Sequence, residues 1–219
     1  MIGWTQSGIE VVTLNDSIDT KYKEDQFYFG VTYNVLGNLT AGVSQNGFSS
    51  GFHLGFIKDM PINKKRNWAI GLGLGVSTNS FNQNLRIIET NNTYSYEILE
   101  NGNYSKNKFS QQLIEVPFEL RWRTSTPSSY SFWRVYSGVK LGYLVSSSSK
   151  YKDSNGEVKL TNISSFNKWQ YGFTLGVGYD SWNAYIHYNI NPIFEDIVQV
   201  DGQNIDINLI KIGIMFYIL

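Results

Sequence analysis

From Gln26 onward, apolar side chains recur at every second position, over segments longer than the ~5 to 6 residues of an ordinary strand. About eight such segments can be marked, each an extended stretch with two unlike faces. In QFYFGVTYNVL, Phe27, Phe29, Val31, Tyr33 and Val35 oppose Tyr28, Gly30, Thr32 and Asn34. GFSSGFHLGFI sets Phe48, Phe52, Leu54 and Phe56 against Gly51, His53 and Gly55. In WAIGLGLGVST, the row from Trp68 to Val76 faces away from Ala69, Gly71, Gly73, Gly75 and Ser77. LIEVPFELRWRTS separates Ile114, Val116, Phe118, Leu120 and Trp122 from Glu115, Pro117, Glu119, Arg121 and Arg123. WRVYSGVKLGYLV, WQYGFTLGVGY, WNAYIHYNI and LIKIGIMFYIL continue the rule, with Arg134, Lys140, His187 and Lys211 on their polar faces.

The polar face decides which way the strands turn. In a soluble sandwich that face meets water and carries mainly Lys, Glu and Thr. Here it is crowded with glycine, which weakens an exposed strand but clears room in a narrow lumen that also holds Tyr, Arg and Glu. Apolar residues outward and polar residues inward are the pattern of a transmembrane barrel. The expected fold is therefore all-β: an antiparallel transmembrane β-barrel of about eight strands, its polar lumen filled by side chains.

The connections fit that reading. Those at 79–110, 146–167 and 191–208 are long and those at 124–131 and 180–181 are short, as in bacterial outer-membrane barrels with short periplasmic turns and longer external loops. The two longest are rich in Asn, Ser, Thr and Tyr and are expected to be solvated. Trp68, Trp122, Trp133 and Trp182 stand at segment ends beside the short turns, and Trp169 at an opposite end. Indole prefers the membrane boundary, so these five form an expected interface girdle. Both ends of the barrel then fall on the periplasmic side, with residues 1–25 as a tail or plug segment and 26–219 as the barrel.

Composition narrows the function classes. Eighteen Lys and Arg balance 18 Asp and Glu, so no net charge draws the chain to nucleic acid. The absence of cysteine excludes disulfides and thiolate chemistry. Glu115 and Glu119 lie about 13 Å apart along one strand face, beyond the ~5 to 9.5 Å of a glycosidic acid pair. Glu115, Glu119, Arg121, Arg123, Arg134, Lys140 and Lys211 are instead expected to form a lumen charge network, since buried charges must be paired or solvated. His53 and His187 lack a third ligand or a nucleophile at a telling spacing, so no metal and no cofactor is expected. GLGLG alternates within a strand and is no phosphate loop. The basic KDMPINKKRN reads as a periplasmic turn touching headgroups or a partner.

Near the C-terminus, KIGIMFYI resembles the assembly signal of outer-membrane proteins through Lys211, Gly213, Phe216 and Ile218. That likeness implies recognition by the barrel-assembly machinery. The chain ends on Leu219 where many such proteins end on an aromatic residue. The stretches GFHLGFIKDMPINKKRNWAIGLGLG, LIEVPFELRWRTSTPSSYSFWRVYSGVKLGY and QYGFTLGVGYDSWNAYIHYNINPIF resemble PorT-family outer-membrane β-barrels. The resemblance implies a non-enzymatic component of the type IX secretion system, or of another outer-membrane complex, in a Gram-negative outer membrane. The expected partners are the lipid bilayer, the assembly machinery and other outer-membrane or periplasmic proteins. Two alternatives stay open: a small lipid-modifying enzyme using a histidine near an outer rim, and a ligand-binding or small-pore barrel.

Overall fold

Extended segments with one apolar face leave their backbone N–H and C=O groups to be satisfied by neighbours, and closing the sheet satisfies all of them. The computed structural model describes residues 25–91, 93–100, 102–124, 133–195 and 198–218. The expected tail before Asp25 lies outside the described residues, as do 125–132, nearly all of one expected short turn, and Leu219. The strands are β1 (Gln26–Gly37), β2 (Ser50–Pro61), β3 (Trp68–Asn82), β4 (Leu85–Thr90), β5 (Thr93–Ile98), β6 (Lys106–Arg123) and β7 (Trp133–Lys152), then β8 (Glu157–Thr161), β9 (Trp169–Tyr179), β10 (Trp182–Asn189), β11 (Gln199–Val200), β12 (Gln203–Asn204) and β13 (Asn208–Ile218).

Eight of them, β1, β2, β3, β6, β7, β9, β10 and β13, form a closed antiparallel barrel in which each pairs with the next along the chain. β13 returns to β1, from Phe27 opposite Ile218 to Gly37 opposite Asn208. These are the eight segments read from the alternation, and β9 matches WQYGFTLGVGY residue for residue.

Exposure alternates strictly along β9 and β10, with the bulky apolar residues outward. Inside, glycine is a clearance device. The Tyr28 phenol of β1 reaches over Gly55 on β2 and Gly75 on β3, and Met215 lies over Gly30; a Cβ at any of the three would collide with those side chains. At the end of the barrel bearing the 180–181 turn, Trp68 pairs with Trp122, while Trp133, Tyr179, Trp182 and Phe216 follow one another across β7, β9, β10 and β13. At the loop end, Trp169 packs against Tyr143 at 4.8 Å and Tyr33 against Phe48 at 5.4 Å. Trp169 and Tyr179 bound the 11 residues of β9. At ~3.3 Å rise and ~40° tilt the two aromatic belts stand about 25 Å apart, the height of an outer-membrane apolar band.

The long connections depart from expectation. Instead of solvated loops they build a head around an apolar core that includes Phe81, Phe109, Phe166, Ile193, Phe194 and Ile207. Phe81 meets Phe109 at 4.8 Å, and Phe166 stacks on Phe194 at 4.7 Å. The β4–β5 hairpin, the β11–β12 pair and β8, which extends the wall beside β7, complete it. β6 starts at Lys106 and β7 runs to Lys152, so both continue several residues past the apolar band. Asn and Ser dominate these segments by count. Yet the few large apolar residues among them are enough to bury a common core once the strands hold them together.

Candidate functional site

The inward faces of the eight strands meet in a lumen packed with charge. Of the seven residues assigned from sequence to a charge network, all are buried inside the barrel; six of them meet in two clusters, and Arg134 stands opposite Arg123 in the β6–β7 register. The first is centred on Glu115 of β6. Its carboxylate accepts from Lys140 Nζ of β7 at 3.0 Å and from Ser77 Oγ of β3 at 2.8 Å. His53 Nδ1 of β2 stands at 3.2 Å and Lys211 Nζ of β13 at 3.6 Å. One carboxylate thus ties together five of the eight barrel strands.

The second cluster sits toward the turn end and is centred on Asp59. Arg121 donates to it at 3.1 Å and Arg123 at 2.8 Å, one guanidinium on each carboxylate oxygen. Arg121 also donates to the Gln26 side chain, lies 4.0 Å over the Tyr136 ring and has Glu119 at 3.6 Å. Arg123 donates through Nε to the Arg66 carbonyl at 3.0 Å, fastening the basic turn to the wall. Register sets Arg121 opposite Tyr136, Glu119 opposite Gly138 and Arg123 opposite Arg134, the pairing the hairpin requires. Glu115 and Glu119 serve different clusters, so the strand brings no acid pair together.

Asp59 was missed from the sequence because KDMP was counted as a turn. The available signal was parity. Gly51, His53, Gly55, Ile57 and Asp59 alternate inward without a break, and β2 continues to Pro61.

His53 and His187 are both buried in the lumen, away from either rim. His53 Nε2 lies 3.3 Å from Thr32 Oγ1, and His187 Nε2 lies 2.6 Å from Asn189 Oδ1. A histidine-based lipid hydrolase would need these rings at the outer rim, where the substrate ester would lie. Among the described residues no three His, Asp or Glu side chains gather in a metal-binding arrangement.

Of the residues resembling an assembly signal, Lys211 points inward to Glu115, Gly213 leaves no room for a Cβ against the β1 backbone, Phe216 packs on Trp182 at 4.2 Å, and Ile218 is exposed outward. The girdle residues Trp68, Trp133, Trp169 and Trp182 are exposed outward, and Trp122 is half-buried beside Trp68.

A closed eight-strand barrel, apolar outside between two aromatic belts and ion-paired inside, defines the class of outer-membrane β-barrel proteins. The chain belongs to the family described as outer membrane protein beta-barrel domain, whose profile matches residues 13–195. Among solved structures it is similar to Ail, the attachment invasion locus protein of Yersinia pestis, at 12% identity and a TM-score of 0.35, over 90% of this chain and 99% of that one. Ail in complex with the heparin analogue sucrose octasulfate matches at 11% identity and a TM-score of 0.37, with the same coverages. A mutant of Rh. blastica porin matches at 8% identity and a TM-score of 0.23, over 90% of this chain and 100% of that one. No curated protein matches the chain.

Proposed function

We propose that this outer-membrane barrel is a non-enzymatic component of an envelope protein complex, with the type IX secretion system as the first candidate and a PorT-like role within it. The turn end faces the periplasm and the head faces outward. Lipid wets the apolar band, and the assembly machinery reads Lys211, Gly213, Phe216 and Ile218 during insertion.

The observation that carries this reading is the filled lumen. Lys140, Lys211 and Ser77 converge on one carboxylate and Arg121 and Arg123 on another, so the interior is occupied by its own ion pairs. Such a lumen rigidifies the wall and leaves binding to the head, the outer wall and the turn end. The type IX assignment draws on the sequence resemblance of LIEVPFELRWRTSTP and its neighbours.

The test is affinity capture of the tagged full chain from detergent-solubilised native envelopes, followed by mass spectrometry. Stoichiometric recovery of type IX subunits is the expected outcome. Recovery of a different stable envelope complex would replace the secretion assignment, and a chain that always purifies alone would end the complex-component reading.

A further inference from the structure

The zero net charge of the chain conceals a strongly basic strip on the outer wall. Above the apolar band, the outward residues of β3, β6, β7 and β8 align in three cross-strand rows. Ser80, Ser110, Ser148 and Thr161 form the lowest. Asn82, Lys108, Lys150 and Lys159 form the next. Lys106, Lys152 and Glu157 form the third. Lys106 opposes Lys152, Lys108 opposes Lys150, and Lys150 opposes Lys159.

Like charges directly opposite across strands cost stability, and three such pairs lie side by side here. Burial lowers the Lys108 pKa below its usual value, and the neighbouring Lys106 and Lys150 lower it further. Glu157 is the one acid in the three rows; it holds Lys150 at 2.6 Å and stands opposite Lys152, so a single carboxylate is shared among five ammonium groups there. Isolated from a counter-anion, this arrangement works against its own fold.

Its position says which anion. Below the hydroxyl row a notch of about 260 Å³ opens among Val145, Ser146, Asn162, Ser164 and Lys168, next to the boundary residue Trp169. The strip is therefore continuous with the apolar band: acyl-facing residues, then the notch with Lys168, then hydroxyls, then ammonium groups. Lys108 is four residues beyond Gln112, the first polar outward residue of β6, hence about 10 Å above the band at ~3.3 Å rise and ~40° tilt. Its four-carbon stem can carry the ammonium back toward the headgroup layer.

We infer that this strip seats the phosphate groups of an anionic lipid headgroup in the membrane leaflet at the loop end. The lysines supply charge, and Ser110, Ser148 and Thr161 supply hydroxyl donors to phosphate oxygens. The acyl chains of the same molecule lie on the band below. A soluble acidic partner would gain nothing from the last feature. The inference rests on the membrane reading of the belts.

Nanodiscs of phosphatidylcholine, doped with diphosphoryl lipid A or with its dephosphorylated form, test it. The full chain is inserted, and the doped lipid that co-purifies after gentle detergent extraction is counted by native mass spectrometry. Wild type should retain the phosphorylated form at least tenfold over the dephosphorylated one, given roughly fivefold per basic residue at an anionic surface. The combined K108Q, K150Q and K159Q variant should lose that preference, while K64Q with K65Q at the turn end should keep it. Equal retention of both lipids by wild type overturns the proposal, whatever the variants do. So does an unchanged preference in the triple variant, or equally strong binding of dextran sulfate by the barrel in neutral discs. A chain that fails to insert even into neutral discs would sink the membrane reading itself.

Discussion

The barrel interior has two storeys built on the same strands with opposite rules. Within the apolar band, β6 turns Glu115, Glu119, Arg121 and Arg123 inward and Ile114 to Trp122 outward; beyond it, the same strand turns Phe109 and Leu113 inward and Lys106 and Lys108 outward. β6 keeps its parity throughout, so the residue types change places while the geometry does not. β7 changes its outward face through a bulge: the register shifts opposite Gln112 and Leu113, outward positions pass from Val139, Leu141 and Tyr143 to Ser148, Lys150 and Lys152, and the inward ones continue as Ser147, Ser149 and Tyr151. What surrounds a strand decides which of its faces is apolar. In hydrocarbon the charges retreat to the lumen, and in water the apolar groups do.

The largest effect should come from Glu115→Leu. It strands Lys140 and Lys211 as buried cations, a loss of about 3–5 kcal/mol or more. Urea titration in micelles, followed by heat-dependent gel migration, should show the whole barrel weakened. An unchanged midpoint would mean that the lower storey does not depend on its ion pairs.

Phe109→Ala should cost a comparable ~3–5 kcal/mol at its site but act locally, because Phe109 touches Phe81, Phe166 and Phe194 in the head. Limited proteolysis should open the long connections while the barrel keeps its folded migration. If the barrel melts with the head, the two storeys are one cooperative unit and the contrast between them is weaker than drawn here.

The smallest effect concerns the rim of the head. The hydrogen bond from Lys150 holds the Glu157 carboxyl below its usual value of 4.5. A depressed carboxyl contributes its stability at neutral pH and loses it as pH falls through the folded value, below 4.5. Amide protection factors along the β7–β8 pairing, taken relative to the intrinsic exchange rate at each pH, should therefore fall in acid at constant ionic strength, and Glu157→Gln should remove that pH dependence.

Much of the barrel was legible in the sequence. Period-two alternation located all eight wall strands, and the glycine content of the polar face gave their orientation. Tryptophan position marked the belts, because the boundary acts on each side chain alone. The charged lumen residues of β6 and β7 could be paired from one hairpin. Asp59 could not, since its arginines lie two strands away around the wall, on β6. The head was illegible for a related reason: Phe81, Phe109, Phe166 and Phe194 are scattered through polar segments without a shared period.

The sequence by itself determined the strands, their two faces and the class of solvent each face meets, because these depend on local period and on residue-by-residue transfer from water. The tertiary structure alone decided that Glu115 joins β2, β3, β7 and β13, that Asp59 bridges Arg121 and Arg123, and that the polarity of the wall inverts above the belt. Those outcomes depend on strand tilt, barrel closure and the bulge in β7, which bring together groups that no local pattern relates.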